Sequence, residues 1–186
     1  MTIVDELIAL LEKGRDRGYG DEQVSQYEHA VQCAILAEAE GVASPLVVAA
    51  LLHDIGHLLN DDARSAMIQR SEDAHHEVRA ANHLRSWFDS EVTIPILLHV
   101  PAKRYLTATD PRYLAHLSPA SVRSLGVQGG PFTAAEVEQF ISQPLAGCAA
   151  QLRRWDDNAK VQDAPIPTLE HFRAHLEACV LNGEHG

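Results

Sequence analysis

The chain has 186 residues and carries 26 Asp and Glu against 15 Lys and Arg, which gives a formal net charge of -11 at pH 7. This acidic balance argues against a nucleic-acid-binding protein or a basic membrane-surface protein. The length fits one domain, residues 1–186, and the hydrophobic fraction of 46% excludes a disordered chain. Cys33, Cys148 and Cys179 are widely separated, without the spacing of a disulfide framework or a cysteine zinc site. Eleven histidines are the unusual feature of this composition.

The N-terminal segment and the apolar runs predict a cytoplasmic protein. Asp5 and Glu6 stand where a signal peptide would carry basic residues. No apolar run approaches the roughly 18 residues of a membrane-spanning helix. We therefore expect a cytoplasmic location, a small molecule as the partner, and neither nucleic acid nor membrane.

Helical patterns predict the first three elements. Apolar residues at helical spacing run from Val4 to Leu11 and indicate a first helix. Residues 25–28 (SQYE) are typical of a capping box, which opens a second helix that ends near Gly41. Ser44 followed by proline indicates an N-cap and a third helix that runs toward Gly56.

The second half of the chain carries similar signals. N-cap chemistry predicts three later helix starts, and two further helices complete a bundle. These starts and helices lie at Asp73, Ser118 and Thr133, and over residues 144–160 and 168–181. Pro95 interrupts the segment 91–99, which predicts a kink or a late helix start there. Strand signals are weak, so the predicted fold class is all-α, in a single-domain helical bundle.

Histidines and aspartates recur on the predicted helices. His53 and Asp54 end an apolar helix, where an ionised carboxylate is expensive to bury without a partner or a metal. Four more such residues fall on four other predicted helices: His29, His75, His99 and Asp156. Any one histidine is more simply a core or surface residue, but the ordered set of imidazoles and carboxylates suits iron, manganese or zinc inside a bundle.

His57 lies one turn beyond His53, and two interpretations of it stay open. It can support a metal ligand from outside the coordination sphere. It can equally be a helix C-terminal histidine that the helix dipole favours.

Several motifs together resemble one group within the HD-domain superfamily. The motifs are Tyr19 with Glu22, residues 25–29 (SQYEH), 51–57 (LLHDIGH), 99–106 (HVPAKRYL), 125–131 (LGVQGGP) and 154–157 (RWDD). Their spacing between residues 19 and 160 is similar to that of the mixed-valent di-iron oxygenases that cleave phosphonates, which are related to myo-inositol oxygenase. Arg79 departs from the group's usual glycine. The adjacent histidines 75 and 76 offer two choices of ligand, of which the register favours His75.

This resemblance implies a di-iron enzyme on an all-α HD bundle. One Fe(II)/Fe(III) pair would be held by His29, His53 and Asp156 on one iron, by His75 and His99 on the other, and by Asp54 as the bridge. Six protein ligands over two metals leave positions for a substrate and for dioxygen, the implied co-substrate.

The resemblance also implies roles for other residues. Phosphonate contacts are expected from Lys103, Ser121, Ser124 and Gln128. Tyr19 would occupy an iron position until substrate displaces it, and Glu22 would face the substrate amine. Catalytic roles are implied for Asp54, His57 and Tyr19, and His57 would also contact substrate. Without the resemblance, Lys103 is equally a solvated lysine, and residues 19–22 are a surface loop.

The implied activity is oxidative cleavage of a carbon–phosphorus bond. A 1-hydroxy-2-aminoethylphosphonate would give glycine and phosphate, and its trimethylammonium analogue would give glycine betaine. The main alternative is a dinuclear metal-dependent HD phosphohydrolase, in which the metals activate water to attack phosphorus. A non-catalytic sensing domain and a polyol oxygenase are further alternatives.

Overall fold

Helices account for the regular secondary structure of residues 1–59 and 75–181, the parts of the chain that the computed structural model describes. The α-helices are α1 (Ile3–Glu12), α2 (Gln26–Ala39), α3 (Ser44–Leu52), α4 (His76–Leu84), α5 (Ser90–Thr109), α6 (Pro111–His116), α7 (Pro119–Val127), α8 (Ala134–Ile141), α9 (Ala146–Asn158) and α10 (Arg173–Cys179). Short 3-10 turns lie at Lys13–Asp16, Ile55–His57 and Leu169–Phe172. Within these parts of the chain, β pairing is limited to two isolated bridges. The prediction of an all-α fold is confirmed.

N-cap side chains set several helix starts. Ser25 and Thr133 each accept a hydrogen bond from the backbone three residues on, and a glutamate at that position bonds back to the cap residue. Ser118 caps α7 in the same way without the returning bond. These three predicted starts are confirmed. The start predicted at Asp73 lies outside the described residues.

Helix α5 begins at Ser90 and passes through Pro95, so the predicted late start at Pro95 is wrong. Proline removes one backbone donor. The buried apolar face of α5 packs against α3, α4 and α9, and this packing keeps the segment helical. His99 therefore lies in the middle of a helix instead of at its end, and Lys103 follows one turn later on the same face.

Helix α3 runs through the middle of the core. Its residues from Val47 to Leu52 are all buried, and it contacts α2, α5, α9 and α10. Its N-cap is Ala43, so the prediction of Ser44 as the N-cap is wrong by one residue, and Pro45 lies in the first turn. As a consequence, the two residues that follow α3, His53 and Asp54, lie in the interior.

The helices around α3 meet in one interior region. Helix α5 packs along α9, and α4 packs on α5 and on the 3-10 turn Ile55–His57. This arrangement brings one segment each from α2, α4, α5 and α9 toward the C-terminal end of α3. No helix in the described part of the chain has the length and apolar character needed to cross a membrane.

Candidate metal centre

His29 on α2 and His53 after α3 direct their Nε2 atoms at each other, 3.2 Å apart. Each Nδ1 lies 2.9 Å from a backbone carbonyl oxygen, that of Ala159 for His29 and that of Ala50 for His53. A carbonyl oxygen requires an N–H donor, so each Nδ1 carries the hydrogen and each Nε2 presents a lone pair. Both rings are buried. Two lone pairs at this distance repel unless a cation or a proton lies between them.

His76 on α4 and His99 on α5 form a second pair of the same kind. Their Nε2 atoms are 3.1 Å apart, and both side chains are buried. His99 donates from Nδ1 to the carbonyl oxygen of Ile96 at 2.7 Å, which leaves its Nε2 lone pair facing inward. The ring centroids of His99 and His53 are 5.0 Å apart, so the two pairs are neighbours.

Asp54 lies between the two histidine pairs and turns one carboxylate oxygen to each. Its Oδ2 is 3.3 Å from His53 Nε2 and 3.6 Å from His29 Nε2. Its Oδ1 is 3.1 Å from His76 Nε2 and 3.6 Å from His99 Nε2. Burial raises the pKa of Asp54, but the imidazoles of His53 and His76 outweigh burial and hold the pKa well below its usual range. Asp54 is therefore an ionised carboxylate in the position of a bridge.

Asp156 on α9 completes the first group of donors. Its Oδ1 is 3.5 Å from His29 Nε2, and its Oδ2 is 3.9 Å from His53 Nε2. Arg153, one turn earlier, lies 2.7 Å from Oδ2 and is buried with it. Burial raises the pKa of Asp156, but Arg153 and the nearby histidines lower it by more. The guanidinium therefore fixes both the charge and the orientation of Asp156.

The prediction that His75 joins this cluster is wrong, because the next residue, His76, fills that place. The side chain of His75 is 73% exposed, and its backbone has a φ of 86°. The helix α4 begins at His76, so His76 lies on the same face as the buried residues Ala80 and Leu84. That stripe of every fourth residue is the signal in the sequence that identifies His76.

The two histidines of the first pair differ in their pKa values. Burial lowers the pKa of His29 to about 4. Burial also lowers the pKa of His53, but the adjacent Asp54 carboxylate more than reverses this and raises it to about 9. The pair thus holds one proton near neutral pH, in the place where a metal ion would lie.

The donor set fits two metal ions. The first group offers His29, His53 and Asp156, the second offers His76 and His99, and Asp54 reaches both. Asp54 Oδ1 is buried, and its 3.1 Å contact with His76 Nε2 does not have the geometry of a hydrogen bond, which is costly for a carboxylate unless a cation binds it. Imidazole nitrogens and carboxylate oxygens are ligands that iron, manganese and zinc accept.

Two further side chains lie beside the cluster. The His57 ring stacks on His76 with centroids 4.2 Å apart, and these two histidines and Asp54 offer ligand atoms within 4.8 Å of one another. Cys33 Sγ lies 3.8 Å from His29 Nε2, one helical turn along α2. Cys33 is buried, whereas Cys148 and Cys179 are half-buried.

Tyr19 covers the first group from the loop before α2. Its ring stacks on His29 with centroids 3.8 Å apart, and its hydroxyl donates to Asp156 Oδ1 at 3.1 Å. Burial, then the Asp156 and Asp54 carboxylates, raise the pKa of Tyr19 well above its usual value. Tyr19 is therefore a neutral phenol that donates to Asp156.

Lys103 on α5 and Ser124 on α7 form a polar contact one turn from His99. Lys103 is 2% exposed, and its Nζ donates to Ser124 Oγ at 2.6 Å. Gln128, one turn beyond Ser124, has a buried Oε1 that no hydrogen bond satisfies among the described residues. A solvated lysine is excluded by this burial, and the group offers donors that an anion needs.

Lys160 joins three residues that the sequence analysis treated separately. Its Nζ donates to Ser121 Oγ at 3.0 Å and lies 3.7 Å from Glu22 Oε1. Ser118 Oγ donates to the same Glu22 oxygen at 2.7 Å. Asp157 Oδ1 lies 3.6 Å from Lys160 Nζ. Lys160 was not predicted as a site residue, because no spacing rule links it to a loop some 140 positions earlier.

Comparison with known proteins gives one family match and close relatives. The HD domain family model matches residues 26–111. A hydroxymethylphosphonate dioxygenase of Gimesia maris is 42% identical over 178 residues, which cover 95% of this chain and 89% of that protein. A [1-hydroxy-2-(trimethylamino)ethyl]phosphonate dioxygenase (glycine-betaine-forming) of Leisingera caerulea is 37% identical over 179 residues, which cover 96% of this chain and 91% of that protein.

Proposed function

The chain belongs to the HD-type phosphonate-cleaving oxygenases, and from that premise we propose that it uses dioxygen to break the carbon–phosphorus bond of a 1-hydroxyphosphonate. The products are a carboxylate and phosphate. The observation that carries the proposal is the position of Asp54, whose two oxygens face two separate histidine pairs. A bridge of this kind supports a dinuclear oxygen-activating centre.

The proposed cofactor is a pair of iron ions in the Fe(II)/Fe(III) state. One iron would be held by His29, His53 and Asp156, the other by His76 and His99, with Asp54 between them. Bound iron would supply the electrons and the open positions that dioxygen activation requires. The carbonyl contacts of the Nδ1 atoms of His29, His53 and His99 support this role, because they keep the Nε2 atoms of these three residues free to coordinate.

The phosphonate group would lie against Lys103, Ser124, Ser121 and Gln128. A buried ammonium group attracts a dianion more strongly than an exposed one, because little water competes for the ammonium. Ser124 and Ser121 hold the two lysine side chains of this region in place. Gln128 would reach a phosphonate oxygen through its amide NH2, because its buried Oε1 accepts hydrogen bonds and cannot donate one.

Three residues would control the reaction beside the metals. Tyr19 would cover the first group until substrate arrives, which limits contact between dioxygen and an empty site. An imidazole nitrogen of His57 would contact the substrate and hold the proton of its hydroxyl group. Glu22, which contacts Lys160 and Ser118, would face the head group of the substrate.

The atoms and electrons of the reaction balance with one dioxygen. The hydroxyl-bearing carbon loses its C–H and C–P bonds and becomes the carboxylate carbon. One oxygen atom enters the carboxylate and one enters phosphate, so dioxygen takes up the four electrons that the substrate loses. The substrate expected from the sequence, 1-hydroxy-2-aminoethylphosphonate, gives glycine, and its trimethylammonium analogue gives glycine betaine.

Dioxygen dependence tests the proposal against the hydrolase alternative. Iron-loaded protein is given a 1-hydroxyphosphonate while dissolved oxygen and phosphate are both measured. We expect one dioxygen consumed per phosphate released, and no phosphate under strict anaerobiosis. Phosphate release that continues unchanged without dioxygen would establish a hydrolase instead. Asp54→Asn serves as the matched control, since it keeps the side-chain shape and removes the bridging charge.

A further inference from the structure

Lys160 lies beside Glu22, the carboxylate for which the family resemblance implies a contact with the substrate amine. Its Nζ lies 3.7 Å from Glu22 Oε1, and the two side chains are only 11% and 20% exposed. From this pairing we infer that the enzyme prefers a small 1-hydroxyphosphonate without a cationic head group, an inference that rests on the proposed function. The substrate class would then include hydroxymethylphosphonate, whose products would be formate and phosphate.

Other contacts hold Lys160 in this place. It donates to Ser121 Oγ at 3.0 Å and lies 3.6 Å from Asp157 Oδ1, so its ammonium is held from two sides besides Glu22. Its Nζ is also 5.7 Å from the centre of the Tyr19 ring. A cation that replaced Lys160 at Glu22 would have to move an anchored side chain. The lysine is therefore anchored beside Glu22 and is not a mobile surface charge.

The N-terminus of α7 also stabilises the Glu22 carboxylate. Ser118 caps that helix, and its hydroxyl donates to Glu22 Oε1 at 2.7 Å. The positive end of the α7 dipole adds to the stabilisation of the carboxylate. A hydroxyl donor, a helix N-terminus and an ammonium thus already surround this charge, which leaves little unmet attraction for a second ammonium.

The neighbouring carboxylates are also paired. Arg153 lies 2.7 Å from Asp156 Oδ2 and 2.6 Å from Asp157 Oδ1. Lys160 adds a second cation to Asp157. Among the described residues, Glu22, Asp156 and Asp157 therefore each have a cationic partner.

The aromatic side chains that could enclose a trimethylammonium group have other partners. The Tyr19 ring stacks on His29, and the Tyr27 ring lies 3.6 Å below the guanidinium of Arg15. Trp155 is buried and donates from Nε1 to Glu40 at 2.9 Å. An aromatic cage needs several ring faces turned to one point. None of these three residues is arranged in that way.

Substrate competition tests the inference directly. We would measure kcat/KM of iron-loaded protein for hydroxymethylphosphonate, 1-hydroxy-2-aminoethylphosphonate and its trimethylammonium analogue. The wild-type protein is expected to prefer hydroxymethylphosphonate. Lys160→Gln keeps a donor for Ser121 and exposes the Glu22 charge, so the ratio of kcat/KM for the ammonium substrate over hydroxymethylphosphonate should rise about tenfold.

Two variants control for charge and for structure. Lys160→Arg keeps the positive charge and should keep the wild-type preference. Arg123→Gln removes an exposed cation from the pair with Asp21, one residue before Glu22, and should leave the ratio unchanged. Lys160→Gln combined with Glu22→Gln should cancel the gain, because no carboxylate remains to attract the ammonium.

Failure of this inference can be told apart from failure of the proposed function. If none of the three compounds drives oxygen uptake, the proposed function is wrong. If all three do and the wild-type protein prefers an ammonium substrate, only the head-group inference is overturned. An unchanged ratio in Lys160→Gln would likewise overturn it. Calorimetric binding of each compound to iron-loaded protein without dioxygen gives the same comparison independently of turnover.

Discussion

Gly56 lies so close to His76 that a β-carbon on Gly56 would overlap the carbonyl oxygen of His76. The same β-carbon would lie 3.2 Å from the backbone nitrogen of Ala80. This close approach lets α4 pack on the turn that follows α3. Arg79 on α4 donates to the carbonyl oxygen of Gly56 at 3.3 Å. We expect Gly56→Ala to push α4 outward, to lower the metal content from two ions toward one per chain, and to cost about 1–3 kcal/mol of unfolding free energy.

Gly147→Ala is the control for that experiment. Gly147 lies in α9 with open space around its α-carbon. The added methyl group should stabilise the helix by about 0.5–1 kcal/mol and leave the metal content unchanged. Urea unfolding and metal analysis check both variants. Full metal content in Gly56→Ala would show that the close contact does not position His76.

The choice between the adjacent histidines 75 and 76 can be decided by metal analysis. His76→Ala removes a buried Nε2 that faces His99, so the variant should bind about one metal ion fewer per chain. His75→Ala removes an exposed ring and should bind as much metal as the wild-type protein. Loss of metal from His75→Ala alone would reverse this assignment.

Lys103 is expected to contribute mainly to substrate binding. Removing its buried charge in Lys103→Gln should raise KM about 10- to 100-fold, the range for a charge-assisted hydrogen bond to an anion. The metal content should stay unchanged, because Lys103 donates to Ser124 Oγ, which is not a member of the cluster. Steady-state kinetics with a hydroxyphosphonate give the test. An unchanged KM would remove Lys103 from the phosphonate site.

Local signals in the sequence accounted for most of the fold. The helix starts at residues capped by Ser25, Ser118 and Thr133 depend on contacts within four residues, which a sequence displays directly. The late start predicted at Pro95 is wrong because the loss of one backbone hydrogen bond at proline is a local effect, while the packing that offsets it comes from other helices. The prediction of one domain over residues 1–186 stays a prediction.

Most residues of the candidate metal centre could be predicted because histidines and aspartates recur in a fixed order on separate helices. His29, His53, Asp54, His99 and Asp156 come together as expected. The choice of His75 failed because a change of one residue turns a side chain by about 100° around a helix. Lys160 was missed because its partners Glu22 and Ser121 are brought to it only by the packing of distant segments.

Tyr19 should restrain oxygen consumption in the absence of substrate. Tyr19→Phe keeps the ring on His29 and removes the hydroxyl that donates to Asp156. We expect iron-loaded Tyr19→Phe to consume more dioxygen than wild-type protein when no phosphonate is present. An oxygen electrode measures this background rate directly. Tyr27→Phe is the control, since Tyr27 packs in the core and contacts Arg15. A background rate equal to the wild-type rate would argue against a covering role for Tyr19.

The metal-free protein should be most stable near pH 6.5. His29 has its pKa lowered from 6.5 to about 4, so the unfolded chain binds more protons below pH 6.5 and stability falls as the pH decreases toward 4. His53 has its pKa raised from 6.5 to about 9, so its contribution is complete below pH 6.5 and is lost as the pH rises toward 9. We call the loss of stability below pH 6.5 the acid limb and the loss above pH 6.5 the alkaline limb. Each limb amounts to at most about 3 kcal/mol of unfolding free energy.

Urea unfolding in the presence of a chelator, at pH 5, 6.5 and 8.5, checks both limbs. His53→Gln removes the group responsible for the alkaline limb, so its stability should change little between pH 6.5 and 8.5. His116→Gln, which changes an exposed histidine, should keep both limbs. Metal-loaded protein should lack the alkaline limb, because a ligand nitrogen that coordinates a cation carries no proton to lose. A stability that rises steadily from pH 6.5 to 8.5 in the chelated wild-type protein would contradict the shared proton between His29 and His53.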